Sequence, residues 1–198
     1  MADINAIKSH ILQILEKGLS DSLTYHNINH TLDVEKQILI IAASEGITNQ
    51  EDLEDLQIAA LYHDTGFLQI HTLHEIVSCE LARKYLSEFG VTNKRIDNIC
   101  NIIMATKFPH EPQNLLEMIM CDADLDYLGR DGFYDTSNKL RNELIAYQII
   151  KPETDWNEFQ INFFKKHNFF TKTSKEKRGA EKMARYNELL KNQINKLK

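Results

Sequence analysis

Apolar residues recur at spacings of three and four along most of the chain, which is the period of an amphipathic α-helix. Ile4, Ile7 and Ile11 begin this pattern, and Gly18 follows it at a place suited to a helix end. Glycine and proline, with 7 and 3 residues, are scarce and lie mostly between the periodic segments. The pattern therefore predicts an all-α fold.

Nine helical segments follow from this periodicity. The segment 51–64 is apolar on more than one side, which is typical of a helix in the centre of a bundle. We expect a single domain over 1–198, with a core of about 24–130 and C-terminal helices of about 131–198 packed on it. The predicted helices cover about 4–15, 30–44, 51–64, 72–88, 93–106, 113–127, 132–149, 153–167 and 174–196.

Composition narrows the choice of partners and compartment. A formal net charge of -6 opposes non-specific attraction to nucleic acid and to anionic membranes. The chain contains no long uncharged apolar run and no signal-like N-terminus, so we expect a cytoplasmic protein without a membrane partner. Cys79, Cys100 and Cys121 are far apart and lack C-x-x-C spacing, which argues against disulfides.

Two histidine-containing segments suggest chemistry. The segment YHNINHT places His26 and His30 four residues apart, on one face of a helix or helix start. The segment LYHDTG ends an apolar helix with His63 and Asp64, where a buried carboxylate needs a cation or several hydrogen-bond donors. Surface histidines and a polar helix end are the alternatives.

A third segment, DADLD, follows an apolar run and carries aspartates at every second position. Asp122, Asp124 and Asp126 repel one another, and this repulsion is relieved if one or more of them binds a cation. A solvated helix end would also tolerate them. An EF-hand is excluded because Tyr127 stands where the loop requires glycine.

The order H…HD…D resembles the HD-domain superfamily of metal-dependent phosphohydrolases over about residues 24–130. YHNINHT is also similar to the Y-H-N-x-x-H motif of cyclic-nucleotide phosphodiesterases, and LYHDTG to the superfamily's signature helix end. The resemblance implies an HD-domain/phosphodiesterase-like helical bundle. Asp122 remains the alternative to Asp124, because the register within DADLD is open. The implied metal ligands are His30, His63, Asp64 and Asp124.

The resemblance also bears on the number and identity of metals. His74 occupies the place where many HD proteins carry a second-metal histidine, but Thr106 and Lys107 stand where binuclear members have another. The resemblance therefore leaves open whether the site binds one metal ion or two. Two imidazoles and two carboxylates suit manganese, iron, nickel, zinc or magnesium.

The function that this resemblance implies is hydrolysis of a phosphomonoester or phosphodiester bond, in a nucleotide-like small molecule, by metal-activated water. His26 would be the general acid, Asp64 would act at the catalytic centre, and Lys107 would bind the substrate phosphate. The alternative is a non-catalytic HD module that binds a metal and a nucleotide as a sensor. Neither reading predicts an oligomeric state.

Overall fold

The described part of the chain, residues 2–196 of a computed structural model, folds into nine α-helices and contains no strand. The prediction of an all-α fold is confirmed, and each helix boundary lies within three residues of its predicted position. The helices are α1 Ile4–Gly18, α2 Ile28–Ser44, α3 Gln50–Tyr62, α4 His74–Leu86, α5 Asn93–Met104, α6 Leu115–Asp124, α7 Phe133–Ala146, α8 Trp156–Lys166 and α9 Lys172–Lys196.

Helix α3 lies at the centre of the larger apolar core. Its residues from Ile58 to Leu61 are at most 1% exposed, as expected for a helix that is apolar on more than one side. Helices α1, α2, α5 and α6 pack around it. Ile7 and Ile11 bring α1 into the same core, so this core begins earlier in the chain than residue 24.

A second apolar cluster lies beneath the C-terminal helices. It contains Phe133 at the start of α7, Phe164 on α8 and Leu189 on α9, each less than 10% exposed. Asp122 joins this region to α6, because its carboxylate accepts hydrogen bonds from the backbone N–H groups of Phe170 and Thr171, both at 2.8 Å. The start of α9 is thereby fixed against the helix that carries DADLD.

Helix α9, with 25 residues, is the longest, and it is rich in charged and polar side chains. Among the helices of residues 2–196, none combines the length and the apolar character needed to cross a membrane.

Sharp turns follow two of the helices that carry motif residues. Helix α3 ends at Tyr62, and Gly66 lies inside a short 3₁₀ helix, Thr65–Leu68, so the expectation of a single helix from 51 to 64 was slightly too long. A Cβ atom on Gly66 would lie 2.0 Å from the backbone oxygen of His74. Glycine is needed here because this turn packs directly against the start of α4.

Gly129 closes a similar turn, the 3₁₀ helix Asp126–Gly129, against α9. A Cβ atom there would lie 2.6 Å from the backbone oxygen of Arg178 on α9. For Gly179, also on α9, no atom of residues 2–196 beyond the local backbone lies within 4 Å of the Cβ position. Gly129→Ala should destabilise the protein by about 1–3 kcal/mol, because backbone must move. Gly179→Ala should stabilise it by about 0.5–1 kcal/mol through helix propensity.

Urea unfolding of both variants measures these free energies. The close approach of the turn to α9 would be disproved if Gly129→Ala were as stable as the native chain.

Candidate metal centre

Three helices deliver the motif residues to one point. The Asn27 side chain accepts hydrogen bonds from the N–H groups of Asn29 and His30, which starts α2 at Ile28 and places His30 on its first turn. His63 and Asp64 follow the end of α3, and Asp124 is the last residue of α6. Because α2 packs against both α3 and α6, the three helix ends meet.

Four side-chain atoms converge there: Nε2 of His30, Nε2 of His63, one oxygen of Asp64 and one oxygen of Asp124. His30 Nε2 lies 3.0 Å from Asp124 Oδ1 and 3.4 Å from Asp64 Oδ2. His63 Nε2 lies 3.5 and 3.1 Å from the same two oxygens. The two imidazole nitrogens are 3.4 Å apart. His30, His63 and Asp124 thus lie close enough together to share one ion, and Asp64 lies beside both histidines.

The arrangement fits a metal ion. Ligand bonds of about 2.0–2.2 Å separate neighbouring ligand atoms by about 2.9–3.5 Å in octahedral or tetrahedral geometry. His63 Nδ1 lies 2.8 Å from the backbone oxygen of Ala60, which holds the proton on Nδ1 and leaves Nε2 as a lone-pair donor toward the centre. Asp64 Oδ2 is buried and has no partner in hydrogen-bonding geometry among residues 2–196, although His63 Nε2 is close to it. A cation would satisfy this oxygen.

Burial and neighbouring charges shift the pKa values of the clustered groups in opposite directions. Burial alone would lower the pKa of His63, but the negative charges of Asp64 and Asp124 outweigh it and hold that pKa well above its ordinary value. Burial would raise the pKa of each carboxyl group, yet the neighbouring imidazoles hold both pKa values well below the usual range. The carboxylates therefore remain charged and available to a cation.

The three aspartates of DADLD have separate partners. Asp124 faces the two histidines, whereas Asp122 binds the start of α9. Asp126 accepts hydrogen bonds from Arg130 and, at 2.9 Å, from Arg178. This placement separates the two candidates for the fourth ligand: Asp124 lies in the cluster, and Asp122 is engaged elsewhere.

His74 lies on the opposite side of Asp64 from the four-atom cluster. Its Nε2 atom is 3.4 Å from Asp64 Oδ1, the carboxylate oxygen that does not face His30. A carboxylate with one oxygen toward each of two sites could bridge two ions, and the role of His74 as a ligand of a second metal stays a prediction. Lys107, in contrast, is exposed and lines neither cavity described below.

His26 belongs to a second cluster, formed with Glu143 and His71. Glu143 is fully buried, and its Oε1 binds His26 Nδ1 and lies 3.4 Å from His71 Nε2. Its Oε2 accepts hydrogen bonds from the backbone N–H groups of Tyr25 and His26 at 2.8 and 3.0 Å. Sequence reasoning missed Glu143, because it lies 117 residues after His26, on α7, within no motif.

Two cavities open beside the cluster. One, of about 130 Å³, is mainly apolar and reaches from His26 and Asp124 to helices α7 and α8. The other, of about 200 Å³, is polar and includes His30 and Lys139. Tyr25 lines both, and its hydroxyl group is buried without a hydrogen-bond partner among the described residues. Asp124 and Tyr127 also line both, so the apolar and the polar cavity adjoin beside the cluster.

Comparison with known proteins supports the motif assignment. A protein-family model described as HD domain matches residues 27–126, which include all four cluster residues. No curated protein matches the chain.

Two crystal structures share the fold. A predicted HD-superfamily hydrolase from an uncultured Thermotogales bacterium is 22% identical, with a TM-score of 0.59 over 96% of this chain and 92% of the other. A Lactobacillus plantarum protein solved in a structural genomics programme is 19% identical, with a TM-score of 0.68 over 97% and 95% of the two chains. At these identities the likeness concerns the fold.

The charge on Glu143 should stabilise the protein in a pH-dependent way. Burial would raise the pKa of Glu143, but the hydrogen bond from His26 and the nearby ring of His71 outweigh it and lower the pKa to about 2, from 4.5. The folded state thus favours the carboxylate, and its contribution to stability is present above about pH 4.5 and lost as the pH falls toward 2.

Glu143→Gln keeps the volume and removes the charge. Urea unfolding at several pH values should show a native chain more stable than this variant at neutral pH, with a difference that shrinks below about pH 4.5. A difference independent of pH would contradict a stabilising charge at Glu143.

Proposed function

The chain belongs to the HD-domain family, and from that premise we propose that it is a metal-dependent phosphohydrolase that cleaves a phosphomonoester or phosphodiester bond of a nucleotide-like small molecule. The observation that carries the proposal is the convergence of His30, His63, Asp64 and Asp124, in which each imidazole Nε2 lies 3.0–3.5 Å from one oxygen of each aspartate. Nitrogen and oxygen donors together suit manganese, iron, nickel, zinc or magnesium.

A divalent ion at this site would supply Lewis-acid chemistry, lowering the pKa of a water molecule and neutralising charge on the phosphoryl oxygens. The protein's own task is to hold the two imidazoles and two carboxylates in register before substrate arrives. The hydrogen bond between His63 Nδ1 and the Ala60 carbonyl oxygen does this for one imidazole. Ser78 holds the turn that follows α3. Its hydroxyl group donates a hydrogen bond to the His63 carbonyl oxygen at 2.6 Å and accepts one from Gly66 N–H at 2.8 Å.

His26 is the proposed general acid for the leaving oxygen. Its Nδ1 atom is bound to Glu143, which leaves Nε2 as the nitrogen available to substrate. The ring stacks on Phe67 with centroids 4.3 Å apart, and the carboxylate of Glu143 also holds the His26 backbone. Because ring and backbone are both fixed, proton transfer needs little rearrangement of this histidine.

The polar cavity is the proposed place for the phosphate-bearing end of the substrate. Lys139 lines it beside His30 and Asp124, so Lys139 is better placed than Lys107 to meet a phosphate group. Arg130 also lines it, but its guanidinium group is paired with Asp33 and Asp126. Lys139 thus brings a positive charge to the cavity. Among the described residues, no carboxylate lies within 4.0 Å of its ammonium group.

A metal- and nucleotide-binding sensor is the alternative function. Such a module needs the ion and a ligand cavity, but not a histidine whose ring, backbone and buried carboxylate partner are held together beside the metal cluster. The His26–Glu143 pair therefore favours catalysis over sensing.

The two neighbouring aspartates provide a matched test of the metal site. Asp124→Asn should lose bound metal and phosphate release from a panel of nucleotides and model esters, because it removes a charged ligand from the cluster. Asp122→Asn should retain metal and activity but lower the free energy of unfolding, because Asp122 anchors the start of α9.

Elemental analysis of both variants and the native chain, together with a phosphate assay, measures these outcomes. Native protein that binds metal but hydrolyses no ester would favour the sensor. Loss of metal in Asp122→Asn but not in Asp124→Asn would show that Asp122, and not Asp124, is the fourth ligand.

His26→Asn tests the general acid. The turnover number should fall by about 10²–10⁴ for esters with poor leaving groups, because the departing alkoxide then lacks a proton donor. Esters of p-nitrophenol, whose oxygen needs no proton to depart, should lose much less. Steady-state kinetics on both ester types provides the measurement, and metal content serves as the control. An equal loss on both would assign His26 another role.

A further inference from the structure

The apolar cavity beside the cluster has a size and a lining that select one kind of chemical group. We propose that it binds a single six-membered planar ring with a carbonyl acceptor, as in a pyrimidine base, and that Gln160 recognises that acceptor. This inference rests on the proposed function, because the ring would belong to the phosphate ester cleaved at the neighbouring cluster.

The volume of the cavity limits the size of the ring that it can hold. The cavity measures about 130 Å³, and an engineered apolar cavity of about 150 Å³ holds benzene. One six-membered ring therefore fills the available space, and a fused bicyclic ring exceeds it unless the walls move.

The walls favour a flat, uncharged group. Leu128, Phe133 and Phe164 form the buried part of the lining, each at most 6% exposed. Trp156 and Phe159 lie parallel to each other, with ring centroids 5.0 Å apart and an interplanar angle of 14°. Aromatic walls of this kind bind planar rings through stacking and edge contacts.

A hydrogen-bond chain on the wall supplies the polar element. The indole nitrogen of Trp156 can only donate, and it donates to Ser137 Oγ at 3.0 Å. Ser137 in turn donates its hydroxyl hydrogen to Gln160 Oε1 at 2.5 Å. With Oε1 bound by Ser137, the NH₂ group is the free end of the Gln160 amide, and it makes no hydrogen bond within residues 2–196.

Gln160 is only 8% exposed and lines both this cavity and a polar cavity beside α9, so its unused donors are open to a ligand. A ring that offers a carbonyl oxygen would satisfy them, whereas a purely hydrocarbon ring would leave them unpaired at a cost in free energy. His26 and Asp124 line the same cavity, which connects a ring held there to the reacting phosphate.

The test uses binding rather than turnover. Trp156 is the only tryptophan of the chain and lines the cavity, so its fluorescence reports occupancy directly. Uridine and adenosine are titrated into the full-length native protein up to their solubility, with calorimetry as the second readout. Uridine should quench Trp156 and bind about tenfold more tightly than adenosine, because the second ring has no room.

Two variants examine the two parts of the proposal. Gln160→Leu should weaken uridine binding about tenfold, through loss of one hydrogen bond to the ring. Phe159→Ala should enlarge the cavity and bring adenosine to within about threefold of uridine. Phe159 is 40% exposed, so its removal should leave folding intact, which circular dichroism checks.

Failure of this inference and failure of the proposed function give different results. Equal binding of uridine and adenosine, no binding of either, or uridine binding unaffected by Gln160→Leu would overturn the assignment of the cavity, even if the protein hydrolyses phosphate esters. Selective uridine binding without hydrolysis of any ester would support the cavity and count against the phosphohydrolase.

Discussion

At the meeting point of α2, α3 and α6, the Nε2 atoms of two imidazoles each lie within 3.5 Å of one oxygen of Asp64 and one oxygen of Asp124. Two of the groups are carboxylates and two are imidazoles, and His63 is only 1% exposed. Burying them costs free energy, and within residues 2–196 Asp64 Oδ2 has no hydrogen-bond partner to offset its share of that cost. The surrounding fold has to hold these helix ends together against that cost.

The apolar core provides this restraint. Helix α3 is enclosed by α1, α2, α5 and α6, so the end of α3 that bears His63 and Asp64 has little freedom to move. Gly66 then permits the following turn to pack against α4, which brings His74 to the far side of Asp64. Stability and preorganisation of the site thus have the same origin, in the close packing of the central helix.

The C-terminal helices extend the site beyond the cluster. Helix α7 supplies Glu143, which fixes His26, and α7 and α8 together supply the walls of the apolar cavity. Asp122 and Asp126 tie this region to the metal centre, one through the start of α9 and the other through Arg178. The segment DADLD therefore joins two parts of the molecule as well as contributing Asp124, which explains three carboxylates at alternate positions without three bound cations.

Local pattern and motif spacing were sufficient to predict the all-α fold and the nine helices, because helical periodicity and glycine or proline punctuation are properties of short segments. They were also sufficient to name the four residues that converge, since His30, His63, Asp64 and Asp124 stand in recognisable motifs; their role as ligands stays a prediction.

The choice between Asp122 and Asp124 depended on which way the end of α6 faces, and only packing decides that. Glu143 and Gln160 lie in segments without a motif, and they reach the site solely because α7 and α8 fold back over it. Sequence thus determined the elements and their chemistry, whereas tertiary structure decided which distant side chains meet, because such contacts depend on the packing of whole helices.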